Sequence, residues 1–138
     1  MKTFILFFSL LLLAVPAAAQ TIENASRRTI GYIQTNGTVE DSSRRTLGYF
    51  KDDGTIEDSS RRTLGYIKEN GTIEDSSRRT LGYVTSSGTV ENASRSTLGY
   101  VSSSGTVEDS SRRTIGYAKG VDPRRAAVFF FFFFKPDK

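Results

Sequence analysis

A chain of 138 residues without a single cysteine or histidine has no disulfide staples, no thiolate zinc site and no imidazole base for a serine nucleophile. Its 19 basic and 15 acidic groups leave a net charge of +4. They alternate within short segments, which argues against a basic stripe for nucleic acid.

The first segment, residues 1–19, reads as a secretory signal. Lys2 supplies the positive start, Phe4 to Val15 the apolar stretch, and Ala17-Ala18-Ala19 the small residues before a cleavage point. The stretch falls short of the ~20 residues a spanning helix needs, with an uncleaved anchor as the alternative. The mature chain is therefore expected to begin at Gln20 and to be secreted, periplasmic or on the cell surface. No cysteine follows the stretch, which excludes a lipoprotein anchor.

Residues 20–120 hold a seventeen-residue unit written six times, with copies starting at Thr21, Thr38, Thr55, Thr72, Thr89 and Thr106. Each copy reads T-[IV]-E-[DN]-[SA]-S-R-[RS]-T-[IL]-G-Y and then a linker ending in Gly. A fixed short period means a repeat architecture, in which a unit buries its apolar face against its neighbours. In the second copy, Thr38-Val39-Glu40-Asp41 and Thr46-Leu47-Gly48-Tyr49-Phe50 are rich in β-branched and aromatic residues and read as two strands. Ser42-Ser43-Arg44-Arg45 between them is polar and turn-like. The linkers, such as Lys51-Asp52-Asp53-Gly54, have the chemistry of a type I turn closed by a left-handed glycine.

If Asp52-Asp53-Gly54 is the loop, Phe50 falls opposite Ile56. The same register pairs Ile33 with Val39, Ile67 with Ile73, Val84 with Val90 and Val101 with Val107. All are apolar pairs suited to one buried face. Leu47 lies three residues from Phe50, so either a β-bulge near Gly48 brings both to one side or both faces carry apolar surface. The fold class expected is all-β: two-strand repeats forming an elongated antiparallel β-meander. The alternative is a β-solenoid, which would stack the arginine pairs into ladders of like charge. A meander instead sets Glu40-Asp41 near Arg44-Arg45.

Residues 121–138 form a basic, Phe-rich tail: Arg124-Arg125, then Ala126-Ala127-Val128 and six phenylalanines, Phe129 to Phe134. The apolar stretch is too short for a membrane helix. Read as a strand it puts Phe on both faces, so it is expected to cap the sheet edge or to form an interface between copies. Membrane-surface contact through Phe129–Phe134 is the further alternative.

The repeats resemble a class of short secreted bacterial proteins built from tandem D-G-x-[IV]-x-D…[IL]-G-x-[IV] units. The pattern is carried here by Asp53-Gly54-Thr55-Ile56-Glu57-Asp58 and Thr63-Leu64-Gly65-Tyr66-Ile67, and the likeness extends to the Ala-Ala-Val-Phe-Phe tail. The resemblance implies an exported bacterial protein and transfers no catalytic residue.

No enzyme chemistry is expected. The serine pairs lie in turns, and Glu40 and Asp41, as strand neighbours, point to opposite faces and do not converge. No cofactor is implied. Calcium at the recurring acidic positions is disfavoured by the arginines beside them. Asn24, Asn36, Asn70 and Asn92 begin glycosylation sequons but are better read as turn residues. The repeated surface left to consider is the row Tyr32, Tyr49, Tyr66, Tyr83, Tyr100 and Tyr117, which either covers the sheet or stacks on sugar or protein. The reading is a secreted, non-catalytic surface, adhesive or scaffold module, with self-association or a surface glycan or protein as partner. A carbohydrate- or calcium-binding module is the alternative.

Overall fold

Each seventeen-residue unit supplies two strands, because its two β-prone segments are separated by turns that reverse the chain. The structure, a computed structural model, describes residues 19–136, so the signal reading of residues 1–19 falls almost wholly outside it. Twelve strands follow in order, from β1 (Gln20–Asn24) through β2 (Thr29–Ile33), β3 (Thr38–Asp41), β4 (Thr46–Phe50) and β5 (Thr55–Asp58) to β12 (Thr114–Tyr117). All neighbours pair antiparallel, as the meander reading expects.

The expected register holds at every hairpin: Phe50 faces Ile56, Ile33 faces Val39, Ile67 faces Ile73, Val84 faces Val90 and Val101 faces Val107. On the other side of β4, Val39 faces Gly48 and Glu40 faces Thr46, leaving Leu47 with no partner across the ladder. This is the bulge, and it recurs in every copy. Leu47, Leu64 and Leu98 pack partly buried against the core. A bulge increases local twist and curvature, and six of them bend the sheet round on itself.

The outline is therefore closed rather than elongated. β1 pairs with β12 through Glu23–Tyr117 and Asn24–Gly116, completing a barrel. That seam continues the register by which β2 pairs with β3, through Tyr32–Glu40 and Gly31–Asp41. The first strand thus plays for the last repeat the part that β3 plays for the first.

Each turn has a physical reason. Gly37 sits at φ +94° and its carbonyl accepts from the amide of Phe50 in the next repeat at 2.8 Å. A Cβ there would run into the Phe50 carbonyl. At the opposite rim, Asp41 Oδ1 accepts from the amides of Ser43 (2.8 Å) and Arg45 (2.9 Å), an Asx-type turn. Asn24 and Asn92 do the same in their copies, and Asn36 and Asn70 accept from Thr38 and Thr72 at the glycine rim. The turn role read for these four asparagines is the one observed.

The tail is neither a strand nor a cap on an edge. It turns helical inside the barrel: α1 (Pro123–Ala127) runs into a wider π-helical turn (Val128–Phe132). A closed sheet offers no free edge, so a buried segment must satisfy its own backbone groups, which a helix does. Asp122 caps α1 by accepting from the Arg124 amide at 2.8 Å, and Pro123 occupies the first turn. At the mouth the Arg125 guanidinium lies 5.3 Å from the Phe50 ring. Deeper in, Ala126, Ala127 and Val128 are fully buried.

The phenylalanines then meet the glycines of the strands. A Cβ on Gly31 would lie 3.0 Å from the Phe129 ring. The same test brings Gly48 to Phe134 (2.9 Å), Gly65 to Phe133 (2.7 Å), Gly82 to Phe132 (2.8 Å), Gly99 to Phe131 (2.6 Å) and Gly116 to Phe130 (2.6 Å). Six rings thus fill six glycine slots. Going round the barrel in strand order, the run is read backwards, and its two ends, Phe129 and Phe134, are neighbours at 6.4 Å.

Candidate functional site

The recurring surface feature is a trio built at the boundary between repeats. Tyr32 on β2 faces Glu40 on β3 across the ladder. Four residues after Glu40 the chain reaches Arg44, whose backbone is left-handed at φ +69°. That conformation folds its side chain back over the strands: Cζ lies 3.7 Å from the Tyr32 ring centroid, and Nη1 donates to Glu40 Oε1 at 3.1 Å.

The trio recurs six times. Arg61 covers Tyr49, Arg78 covers Tyr66, Arg95 covers Tyr83 and Arg112 covers Tyr100, all at 3.6–3.7 Å. Arg27 covers Tyr117 across the seam at 3.6 Å and bonds Glu23 at 3.2 Å, so closure completes the ring of trios. The second arginine of each pair does different work. Arg45 Nε donates to Asp41 Oδ2 at 3.2 Å and its side chain is 82 % exposed.

The six tyrosines read from the sequence are all brought to the outer wall, each with a guanidinium on one ring face. Stacking of a sugar on that face requires the arginine to leave. The repeated Glu carboxylates are engaged as well: Glu40 also accepts from Gln34 Nε2 at 2.8 Å, and Lys51 and Lys68 approach Glu57 and Glu74 at 3.8 and 3.9 Å. No group of three or more acidic residues among the described residues is placed to hold a metal ion. The backbone amide of Arg45 holds the Asp41 carboxyl below the usual aspartate range despite some desolvation, and Asp58, Asp75 and Asp109 are held down in the same way by Arg62, Arg79 and Arg113.

Sequence reasoning paired acid with base but missed the stacking of arginine on tyrosine. A signal was present. In the fifth copy the arginine pair becomes Arg95-Ser96, so the first arginine is kept in all six copies and the second is not.

The two rims differ. One carries the Ser-Arg turns, almost the same in every copy. The other carries the glycine turns, where the copies differ most: Gln34-Thr35-Asn36, Lys51-Asp52-Asp53, Lys68-Glu69-Asn70, Thr85-Ser86-Ser87 and Ser102-Ser103-Ser104. The tail enters through this second rim. Arg124 donates to the Glu69 carbonyl (3.4 Å), Arg125 approaches Asp52 (3.8 Å) and Gln20 donates to the Gly120 carbonyl (2.6 Å). Shallow grooves of about 330 and 480 Å³ flank it there, one beside Lys51, Asp52 and Arg125, the other beside Ser86, Ser87 and Ser103.

No curated protein and no solved structure matches the chain. A protein-family model described as a 5-fold beta-flower protein matches residues 19–134, the six repeats together with the phenylalanine run. That description names an architecture and no reaction, and the match spans most of the chain: this protein belongs to the 5-fold beta-flower family.

Proposed function

We propose that this protein is an exported, non-catalytic repeat module that acts as a surface, adhesive or scaffold element through the outside of its barrel. The observation that carries this reading is the filled interior. The chain's own phenylalanines occupy the space where a barrel of this size would hold a ligand, which leaves recognition to the wall and the rims. Every feature there is presented up to six times around one ring, so weak contacts add through multivalency. The signal-like residues 1–19 and the resemblance to secreted bacterial repeat proteins support export.

Fractionation of cells producing the full chain tests the compartment, and binding of the purified mature protein to the cell envelope and to a glycan array tests the surface role. The expected outcome is a mature N-terminus at Gln20 outside the cytoplasm, with binding that weakens sharply when the protein is offered to a sparsely coated surface. Cytoplasmic retention with residues 1–19 intact overturns the export reading. Tight binding of a single small molecule, independent of surface density, overturns the multivalent one.

A further inference from the structure

We propose that the phenylalanine run is a gauge that sets the number of repeats on which the barrel closes, one ring for each strand glycine. Near-identical repeats that touch only their neighbours carry no information about how many should form a ring. Each boundary between repeats has the same register and the same Arg–Tyr–Glu trio, each repeat carries the same bulge, and the seam repeats the register and the trio. Five, six or seven copies satisfy these local contacts alike. The family itself is described as 5-fold, whereas this chain closes on six copies.

Among the described residues, the tail is the one element that meets every repeat. Phe129 to Phe134 visit the six glycines in unbroken cyclic order, and the last ring returns beside the first. The fit is steric on both sides. The strand positions are glycine, so the rings lie directly against the backbone, and the run holds one phenylalanine for each of them. Barrel diameter grows about linearly with strand number. A ring of five repeats would leave one phenylalanine without a slot, and a ring of seven would leave one glycine facing a void. The π-helical turn, in which the Phe133 amide bonds the Val128 carbonyl at 3.1 Å, widens the backbone and lets successive side chains fan around the whole circuit.

The test uses four variants of the full chain. The first lacks one repeat, Thr55–Gly71, and the second lacks Phe133, the ring that fills the Gly65 slot of that repeat. The third lacks both. The fourth lacks the repeat and Lys135, which matches the third in length but keeps six phenylalanines. Thermal melting followed by circular dichroism reads each one. Each of the first two is expected to lose more than about 10 °C in Tm. The double deletion is expected to melt above both of them, as a monomer, while the Lys135 control does not. A double deletion no more stable than the worse single deletion, unfolded chains included, overturns the proposal. So does equal recovery in the Lys135 control.

Discussion

At the scale of the residue, the left-handed arginines are the least expected feature. A non-glycine residue in this conformation costs roughly 1–2 kcal/mol. Against that, an exposed cation–π contact contributes about 0.5–1 kcal/mol and an ion pair to a partly covered carboxylate about 0–1. These terms nearly cancel, so the two substitutions that isolate them should differ. Arg44→Gly removes strain and contacts together and is expected to change stability by less than about 1 kcal/mol. Arg44→Ala keeps the strain and loses the contacts, and should cost about 1–2 kcal/mol in urea melts. Equal losses for the two would mean that the backbone there is unstrained. The turn aspartates give a pH effect of defined sign. Asp41, Asp58, Asp75 and Asp109 titrate below the ordinary value of 3.8 in the folded state, chiefly because a backbone amide bonds the carboxylate. Their contribution is present above 3.8 and is lost as pH falls through the lower folded value. Asn24 and Asn92 accept the same two amide bonds with nothing to titrate. Replacing all four aspartates by asparagine should therefore hold Tm near its value at neutral pH and flatten its decline in acid.

Elements were legible where local rules decide them and illegible where closure does. The hairpin register followed from pairing Phe50 with Ile56, because a one-residue slip would turn every apolar side chain outward. The spacing of Leu47 from Phe50 conflicts with strict alternation and left two readings open, a bulge near Gly48 or apolar surface on both faces; the ladder has the bulge. The tail did not follow. Six phenylalanines have strand propensity, and only a sheet with no free edge makes a helix the better state for them. The sequence holds six strand glycines and six phenylalanines in the run, but the meaning of that match needs the barrel. Burial along the run grades its energetics. Phe129 is 1 % exposed, whereas Phe132 is only partly buried. Phe129→Ala is expected to cost about 3–5 kcal/mol, and Phe132→Ala measurably less. The reverse order in urea titrations would place the run differently from the arrangement described.

For the whole molecule, the consequence is cooperativity. An array whose units meet only their neighbours unfolds in a length-dependent, separable way, and the repeats alone point to that behaviour. A segment that touches all six repeats couples them, so loss of any one opens the centre. Calorimetric and van't Hoff enthalpies should therefore agree in one transition. The weakest part of the ring is the seam, where β1 and β12 share two paired positions against three between β2 and β3. Native-state hydrogen exchange should show these two strands opening first. Protection that is lowest elsewhere, or two resolved transitions, would contradict this. The tyrosine row was legible as a surface but not as a surface already covered by arginine, because the left-handed turn that aims each guanidinium has no glycine to announce it.

The position of the filling segment along the chain also bears on timing. Everything that lines the barrel is synthesised before the residues that fill it, at about 5–20 residues per second. Until Phe129 to Phe134 arrive, the isoleucines and valines that face the glycines across the ladders surround a centre that nothing fills. The growing chain therefore stays short of its native state throughout elongation, and the barrel assembles only after its last repeat has been made. If the chain is exported as proposed, a core delivered last keeps the thread open until passage is nearly complete.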